Sequence, residues 1–458
     1  MGHARTASVV VMAATLVAGI GCGFGSTKTT RAAPTTPSGQ ATAAKKKHAT
    51  ARWPTYHGNL ARTGVDTSSP ALGQVRRTWT RQVDAPVYGE PLAVGARVYV
   101  ATENNTVYSL NARTGKVAWR RHLGAPVDGS TLPCGNILPT TGITGTPAIS
   151  GGRLYVVAFL SGYRHVLFAL SLTNGGVVIR HGADAPGSDP RVHQQRPALS
   201  ISKGRVYVPY GGLTGDCGPY RGRVVSVKMR GKPMKRTFTV GVNREGGIWA
   251  PSGAAVNRSG DLFVATGNGD SSGFDFGNSV LELSPKLKQT GFFRVSNGGA
   301  NNQTDTDLGS TGPTLLDGNR LFVIGKDGVG LLLSSAHLGG VGGQLFEQKI
   351  CSGAYGGMAS RAPFIYVPCT DGLVALRLSG DSFSVAWKKG SDAGAPIVAG
   401  GAVWSIDGGG TLHAYAPDSG ADLASFDVGS VTHFPSPGAG GGRLFVPAES
   451  RVVGFAGV

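Results

Sequence analysis

Short apolar runs bounded by Gly, Pro, Asn or Ser recur along most of the chain, and no stretch sustains a 3.6-residue apolar period. That pattern predicts strands joined by tight turns. One run repeats. A Gly-x-Arg-apolar-aromatic-Val strand stands at Arg97-Val98-Tyr99-Val100, Arg153-Leu154-Tyr155-Val156 and Arg205-Val206-Tyr207-Val208, then at Asp261-Leu262-Phe263-Val264, Arg320-Leu321-Phe322-Val323 and Arg443-Leu444-Phe445-Val446. Degenerate copies lie at Phe364-Ile365-Tyr366-Val367 and Ala402-Val403-Trp404-Ser405. Eight copies spaced by about 49 residues suit the four-stranded blade of a β-propeller with its loops.

The segment before most copies is small and Pro-bearing (Pro91, Pro147, Pro197, Pro313, Pro396, Pro437), as an innermost strand near a crowded axis requires. After the first copy, Thr106-Val107-Tyr108-Ser109-Leu110 is a third strand, and a Thr-Gly turn at Thr114-Gly115 leads to a fourth ending in Trp119. This places the indole on the outermost strand, wedged against the next blade; Trp387 is its counterpart in a later copy. The last copy stops at Val458 without its fourth strand, while 75–80, with Trp79, has the outermost-strand character and precedes the first blade. The fold class is therefore an all-β, eight-bladed β-propeller whose N-terminal strand closes the last blade and leaves no sheet edge open. Seven blades with a stray hairpin is the alternative.

Composition adds a leader. His3 and Arg5 precede an uncharged apolar run from Ser8 to Gly21, too short for a comfortable membrane span and laid out like a secretory signal. Residues 1–22 are thus expected to direct export, leaving the protein on the outer face of the cell membrane or secreted. Residues 23–52, rich in Thr, Ala, Pro and Lys, read as a disordered tether, and 53–458 as the propeller. The net charge is +18, and seven of those charges precede Trp53, where no Asp or Glu occurs; the remaining excess is scattered along the sequence. Lys45, Lys46 and Lys47 would suit an anionic membrane or wall polymer, or act as a solvated spacer. No nucleic-acid module is visible, so nucleic acid is not an expected partner, and a monomer is expected.

Of five cysteines, Cys22 ends the leader. The other four, Cys134, Cys217, Cys351 and Cys369, allow three disulfide connectivities and show no CxxC zinc spacing. Cys351 and Cys369 fall in one repeat and are the preferred pair, which leaves Cys134 with Cys217 between neighbouring repeats.

The Ala-x-Thr-Gly-x-x-x-Trp motif of Ala112 to Trp119 resembles the repeat of pyrroloquinoline quinone (PQQ) dehydrogenases and of the wider quinoprotein-like propeller group, which includes outer-membrane assembly lipoproteins. Trp53-Pro54-Thr55-Tyr56-His57-Gly58-Asn59 with Arg62-Thr63-Gly64 resembles the opening segment of that group, and Gly21-Cys22 resembles a lipobox, with Gly19 departing from it. Lipidation at Cys22 would give a membrane anchor. The resemblance implies a site for PQQ and calcium: Trp249 as the floor under the quinone, Asn268 as a calcium ligand, Asp307 as the base and Lys326 as the cation beside the quinone oxygens. Chemically, a flat cofactor wants an aromatic face, a hard cation wants oxygen ligands and an anionic quinone wants a positive charge. Two departures stand out. The family's adjacent-cysteine ring is missing, with only Cys134 near its place, and Cys217 with Asp216 occupies the spot of the acidic calcium ligand. Each of these residues also has an ordinary structural use, as interblade packing, turn cap or ion pair.

His193, Gln194, Gln195 and Arg196 precede an innermost strand and are expected at the channel mouth, where such donors suit an anionic or polyhydroxylated ligand or hold water. Gly269-Asp270-Ser271-Ser272-Gly273 spells a nucleophile elbow but lacks the strand, turn and helix that device needs. Asp275 and Asn278 follow it without EF-hand spacing. Two functions follow: a binding or assembly module at the cell envelope, with an envelope protein or glycan as partner, and a PQQ- and calcium-dependent alcohol or polyol dehydrogenase.

Overall fold

The computed structural model describes residues 50–231, 234–271 and 273–458. Cys22, the signal segment and all but the last residues of the expected tether lie outside them. Eight sheets stand in a ring, and each anchor copy is the second strand of a blade. Blade one runs Leu92–Gly95, Arg97–Ala101, Thr106–Asn111 and Val117–His122, all antiparallel, and the other blades repeat this order.

The N-terminal strand, Arg76–Gln82, pairs antiparallel with Arg451–Ala456, so it is the outermost strand of blade eight. The seam is packed without a break: Trp404 and Leu412 of blade seven, Phe445 and Phe455 of blade eight, and Tyr99 and Val107 of blade one belong to one buried cluster. Trp79 of the closing strand lies over Gly115 of blade one and donates its indole N–H to the Ala112 carbonyl at 3.1 Å. Trp119 does the same at Gly175 and Leu172 of blade two, and Trp387 at Gly420 and Pro417 of blade seven. The repeat motif thus encodes the contact between blades: the Gly of one turn leaves room for the indole of the preceding outermost strand.

The turn between first and second strands of a blade is bonded to the turn between third and fourth, as in Ala96 O to Ala112 N at 3.0 Å and Gly204 O to Met229 N at 3.0 Å. Both turns therefore lie toward one end of the ring, here the turn face. The other end holds the second-to-third turns and the loops between blades.

The opening segment runs round the turn end of the channel and touches every blade. Its first strand, Ala51–Trp53, pairs with Leu92–Gly95; it takes Ala51 and Arg52 out of the expected tether because their main-chain groups enter that ladder. The carbonyls of Pro54, Leu60, Ala61, Thr63 and Gly64 then accept from Ile149, Val256, Leu315, Ser360 and Val398, one innermost strand each in blades two, four, five, six and seven. The buried Arg62 donates to Leu199 O at 3.2 Å and Ser200 Oγ at 2.7 Å in blade three, and Ser68 Oγ accepts from Gly441 N at 3.0 Å in blade eight. Glu90, at 2% exposure, accepts from Trp53 Nε1 at 2.5 Å, His57 N at 2.8 Å and Ser436 Oγ at 2.6 Å. Burial pushes the Glu90 carboxyl up to about 8 and the His57 imidazole down to about 3, so both are neutral near pH 7.

The cysteines pair as Cys134 with Cys217 and Cys351 with Cys369. A seven-residue helix, Gly298–Thr304, has no counterpart in the strand pattern.

Candidate functional site

At the end of the ring opposite the turn face lies a cavity of about 300 Å³, lined by loops that enter and turn within several blades. Trp249 sits in the loop leading into blade four. Its Cβ packs against Gly211, where an added methyl would come within 2.6 Å, and its indole N–H donates to Asp307 Oδ1 at 3.1 Å. Asn268 follows the second strand of blade four, Asp307 precedes the first strand of blade five, and Lys326 lies in the second-to-third turn of blade five. The four residues named from sequence all line this one cavity.

Their contacts form a single network. The Lys326 ammonium lies 2.7 Å from Asp307 Oδ2 and 2.7 Å from Asp305 Oδ1, and 5.4 Å from the centre of the Trp249 ring. Asn268 Nδ2 donates to Asp305 Oδ1 at 2.9 Å. Asp307 is 2% exposed; burial raises its carboxyl above the usual range, against the pull of Lys326. Burial alone would lower the Lys326 ammonium, but the two carboxylates outweigh it and hold the group charged. The short helix positions this pair: Asp305 caps its C-terminus in the left-handed region at φ 52°, and its N–H bonds to Asn301 O. Asn278 ties the same region together, donating to Asn302 Oδ1 at 2.7 Å and accepting from Leu308 N at 2.9 Å. Asn278 and Asp275, which is paired with Arg294, therefore support the loop. Ser271 Oγ accepts from Gly273 N within it, far from any nucleophile geometry.

Of the further lining residues, Asp216 was noted in the sequence beside Cys217, while Tyr355, Phe434 and Glu245 carried no signal there. Tyr355 and Phe434, from the loops leading into blades six and eight, stack at 5.4 Å and 14°, and each ring lies about 6 Å from Trp249, at 6.2 and 6.3 Å. Glu245 and Asp216 add two carboxylates, the second accepting from Tyr220 OH at 2.5 Å. Asp216, Glu245, Asp305 and Phe434 all have positive φ, at 48°, 71°, 52° and 59°. Such backbone costs about 1 to 3 kcal/mol per residue and gathers at functional sites.

Of the four residues expected at the channel mouth, only Arg196 lines the cavity, 5.6 Å from the Phe434 ring. Gln194 accepts from Arg196 at 3.0 Å, Gln195 donates to Pro197 O at 2.6 Å and His193 Nδ1 is 2.8 Å from Asp189 O, so these three build the wall. The Cys134–Cys217 disulfide stands at the rim: Gly215 and Asp216 line the cavity, Cys134 lies beside Gly215, and Asn136 accepts from Thr214 at 3.1 Å.

A family profile described as "Outer membrane protein assembly factor BamB" matches residues 73–331, more than half of the chain. The chain belongs to the PQQ-like quinoprotein propeller family. Among curated relatives, this PQQ-like propeller is 25% identical over 202 residues to a polyvinylalcohol dehydrogenase of Sphingopyxis sp. (strain 113P3), covering 40% of the chain and 28% of that protein. A second polyvinylalcohol dehydrogenase, of Pseudomonas sp., is 25% identical over 42% of the chain and 31% of its own length. The chain thus matches less than a third of the length of these relatives. In fold, it is similar to the quinohemoprotein alcohol dehydrogenase ADHIIG from Pseudomonas putida HK5 (TM-score 0.71, 14% identity, 89% of this chain and 80% of that one). A europium-containing methanol dehydrogenase gives a TM-score of 0.71 at 14% identity, over 90% of this chain and 98% of that one. BamB from Moraxella catarrhalis gives 0.54 at 13% identity, over 83% and 97%. At these identities the likeness to solved structures is one of fold.

Proposed function

We propose that the cavity binds a flat anionic quinone of the PQQ class together with a hard cation such as calcium, and that the protein oxidises an alcohol or polyol. The observation that carries this reading is the convergence of Trp249, Asn268, Asp307 and Lys326, from two blades, on one cavity beside an aromatic wall. The donor set fits. Trp249 offers a ring face, Lys326 and Arg196 offer positive charge to quinone oxygens, and Asn268, Asp305 and Glu245 offer oxygens to a cation. The volume falls at the low end of the range for cofactor sites. Bound there, a quinone supplies the redox step, taking up the two electrons and two protons that an alcohol loses on becoming a carbonyl compound.

The side chains supply the rest. Asp307 accepts the hydroxyl proton of the substrate, and its buried, raised carboxyl suits a general base. Lys326 holds Asp307 and Asp305 in place. The rim disulfide fixes the loops of blades two and three beside the opening. Substrate class follows the curated relatives, whose names specify polyvinyl alcohol.

The deciding experiment titrates the protein with PQQ and calcium while following tryptophan fluorescence. Saturable quenching at micromolar cofactor, lost in Trp249→Phe, is expected; no saturable change overturns the reading. A second reading is a binding or assembly module at the cell envelope. It is supported by the Asp305–Lys326–Asp307 network, whose charges compensate one another without a ligand, and by the description of the matching family. Capture of an envelope protein or glycan that survives loss of Lys326 and Trp249, with no quenching by PQQ, would favour it.

A further inference from the structure

Basic residues stand at both ends of the ring, but few acidic residues accompany them at the turn face. The first-to-second strand turns put Arg97, Arg153, Lys203, Arg258, Arg320, Arg361 and Arg443 at the turn face, one in every blade except the seventh. Arg113, Lys116, Lys228, Arg230, Lys286 and Lys288 add to it from the outer turns. Of the 26 acidic residues of the chain, Asp66, Asp261, Glu282, Asp317, Asp381, Asp418 and Asp422 stand toward that end. Most of the others, from Asp84 and Asp128 to Asp392 and Asp427, lie in the turns and loops of the cavity end.

The positive end is crowded. Beneath blade three, a cleft of about 750 Å³ is lined by Lys203, Arg205, Lys228, Arg230 and Arg236, with the exposed Met234 at its lip. Among the described residues none of these five is in a salt bridge. Arg205 is lowered by burial and by Arg236, and Arg443 by burial and by its neighbours Arg113 and Arg76, as expected where cations face cations. The chain also enters the propeller here. Thr50 and Ala51 line a cleft with Arg113 and Arg443, and the segment before them carries Lys28, Arg31, Lys45, Lys46 and Lys47.

We infer that the turn face is a docking surface for an anionic lipid bilayer, which holds the propeller with its cavity turned away from the membrane. The occupant is argued from three features. The charge is spread over seven of the eight blades at this end of the ring, as a flat anionic surface matches and a compact ligand does not. An exposed Met lies among the cations, where lipid headgroups give way to acyl chains. The positively charged leading segment joins at the same end. Each Lys or Arg near such a surface adds to binding within a Debye length, so the sum is steeply sensitive to salt.

The test is co-sedimentation of the full chain with vesicles of neutral phosphatidylcholine and of phosphatidylcholine with about one third phosphatidylglycerol. Preference for the anionic vesicles, falling as salt is raised, is expected. Lys203→Glu with Arg230→Glu should cut that preference by at least about tenfold. Arg164→Glu with Arg191→Glu, an equal charge change at the cavity end, should leave it nearly intact. Equal losses in the two pairs overturn the inference, as does a loss confined to Lys45→Gln with Lys46→Gln and Lys47→Gln. Binding to soluble polyphosphate with no preference for anionic vesicles overturns it too and points to a polymer.

Discussion

Two buried carboxyls of this protein, Asp307 beside a lysine and Glu90 without one, are held in different ways. Asp307 lines the cavity with Lys326 2.7 Å from Oδ2 and the Trp249 N–H 3.1 Å from Oδ1. If it is the base, Asp307→Asn should abolish turnover while leaving the saturable PQQ quenching, because Asn keeps the size and the acceptor for the indole N–H; loss of both together would make the residue structural. Glu90 has no lysine and is buried between the opening segment and Ser436, its carboxyl pushed up to about 8. The folded protein therefore holds that proton more tightly than the unfolded chain, and stability falls as pH rises toward 8. His57, lowered to about 3 from an ordinary 6.5, loses stability as pH falls below 6.5, so between pH 6.5 and 8 the Glu90 effect stands alone of the two. The melting temperature should decline across that window in the native sequence and stay flatter in Glu90→Gln; parallel profiles would exclude the assignment. Trp249, Asn268, Asp307 and Lys326 were legible because each belongs to a motif. Tyr355, Phe434 and Glu245 were not, since they hang from loops without a repeat, and a positive φ at Phe434 leaves no mark on the residue type.

At the scale of strands and turns, the repeat was almost fully readable, because short apolar runs and the Thr-Gly turn are local properties. What the sequence also encodes is a contact between elements. An added methyl at Gly115 would come 2.6 Å from the Trp79 ring, in a backbone at φ 65° that an L side chain disfavours. Gly115→Ala is therefore expected to destabilise by about 1 to 3 kcal/mol and Trp79→Ala by about 3 to 5 kcal/mol, measured by denaturant unfolding. An effect under about 0.5 kcal/mol in both would mean that the wedge is not what joins the blades. The Cys351–Cys369 bridge joins two points of blade six across 18 residues, and removing it should cost about 2 to 4 kcal/mol. Non-reducing peptide mapping that found free thiols at these positions would contradict it. The helix at Gly298–Thr304 was missed because seven polar and small residues carry no apolar period.

For the whole ring, the count of blades and the closing strand followed from the spacing of the anchors, while the gathering of cations on the turn face did not, since residues far apart in sequence share a face only after the blades close. Closure also imposes an order in time. Arg76–Gln82 is synthesised long before its partner Arg451–Ala456. Pairing across so much sequence is slow, and a strand left waiting offers its edge to any other chain nearby. Here the waiting strand reads Arg-Arg-Thr-Trp-Thr-Arg-Gln, three like charges in seven residues. Repulsion between copies keeps such strands from stacking until the native partner arrives. Neutralising Arg76, Arg77 and Arg81 should then lower refolding yield at high protein concentration far more than it changes the unfolding midpoint, so these arginines would act on the fate of the unfinished chain rather than on the stability of the finished one.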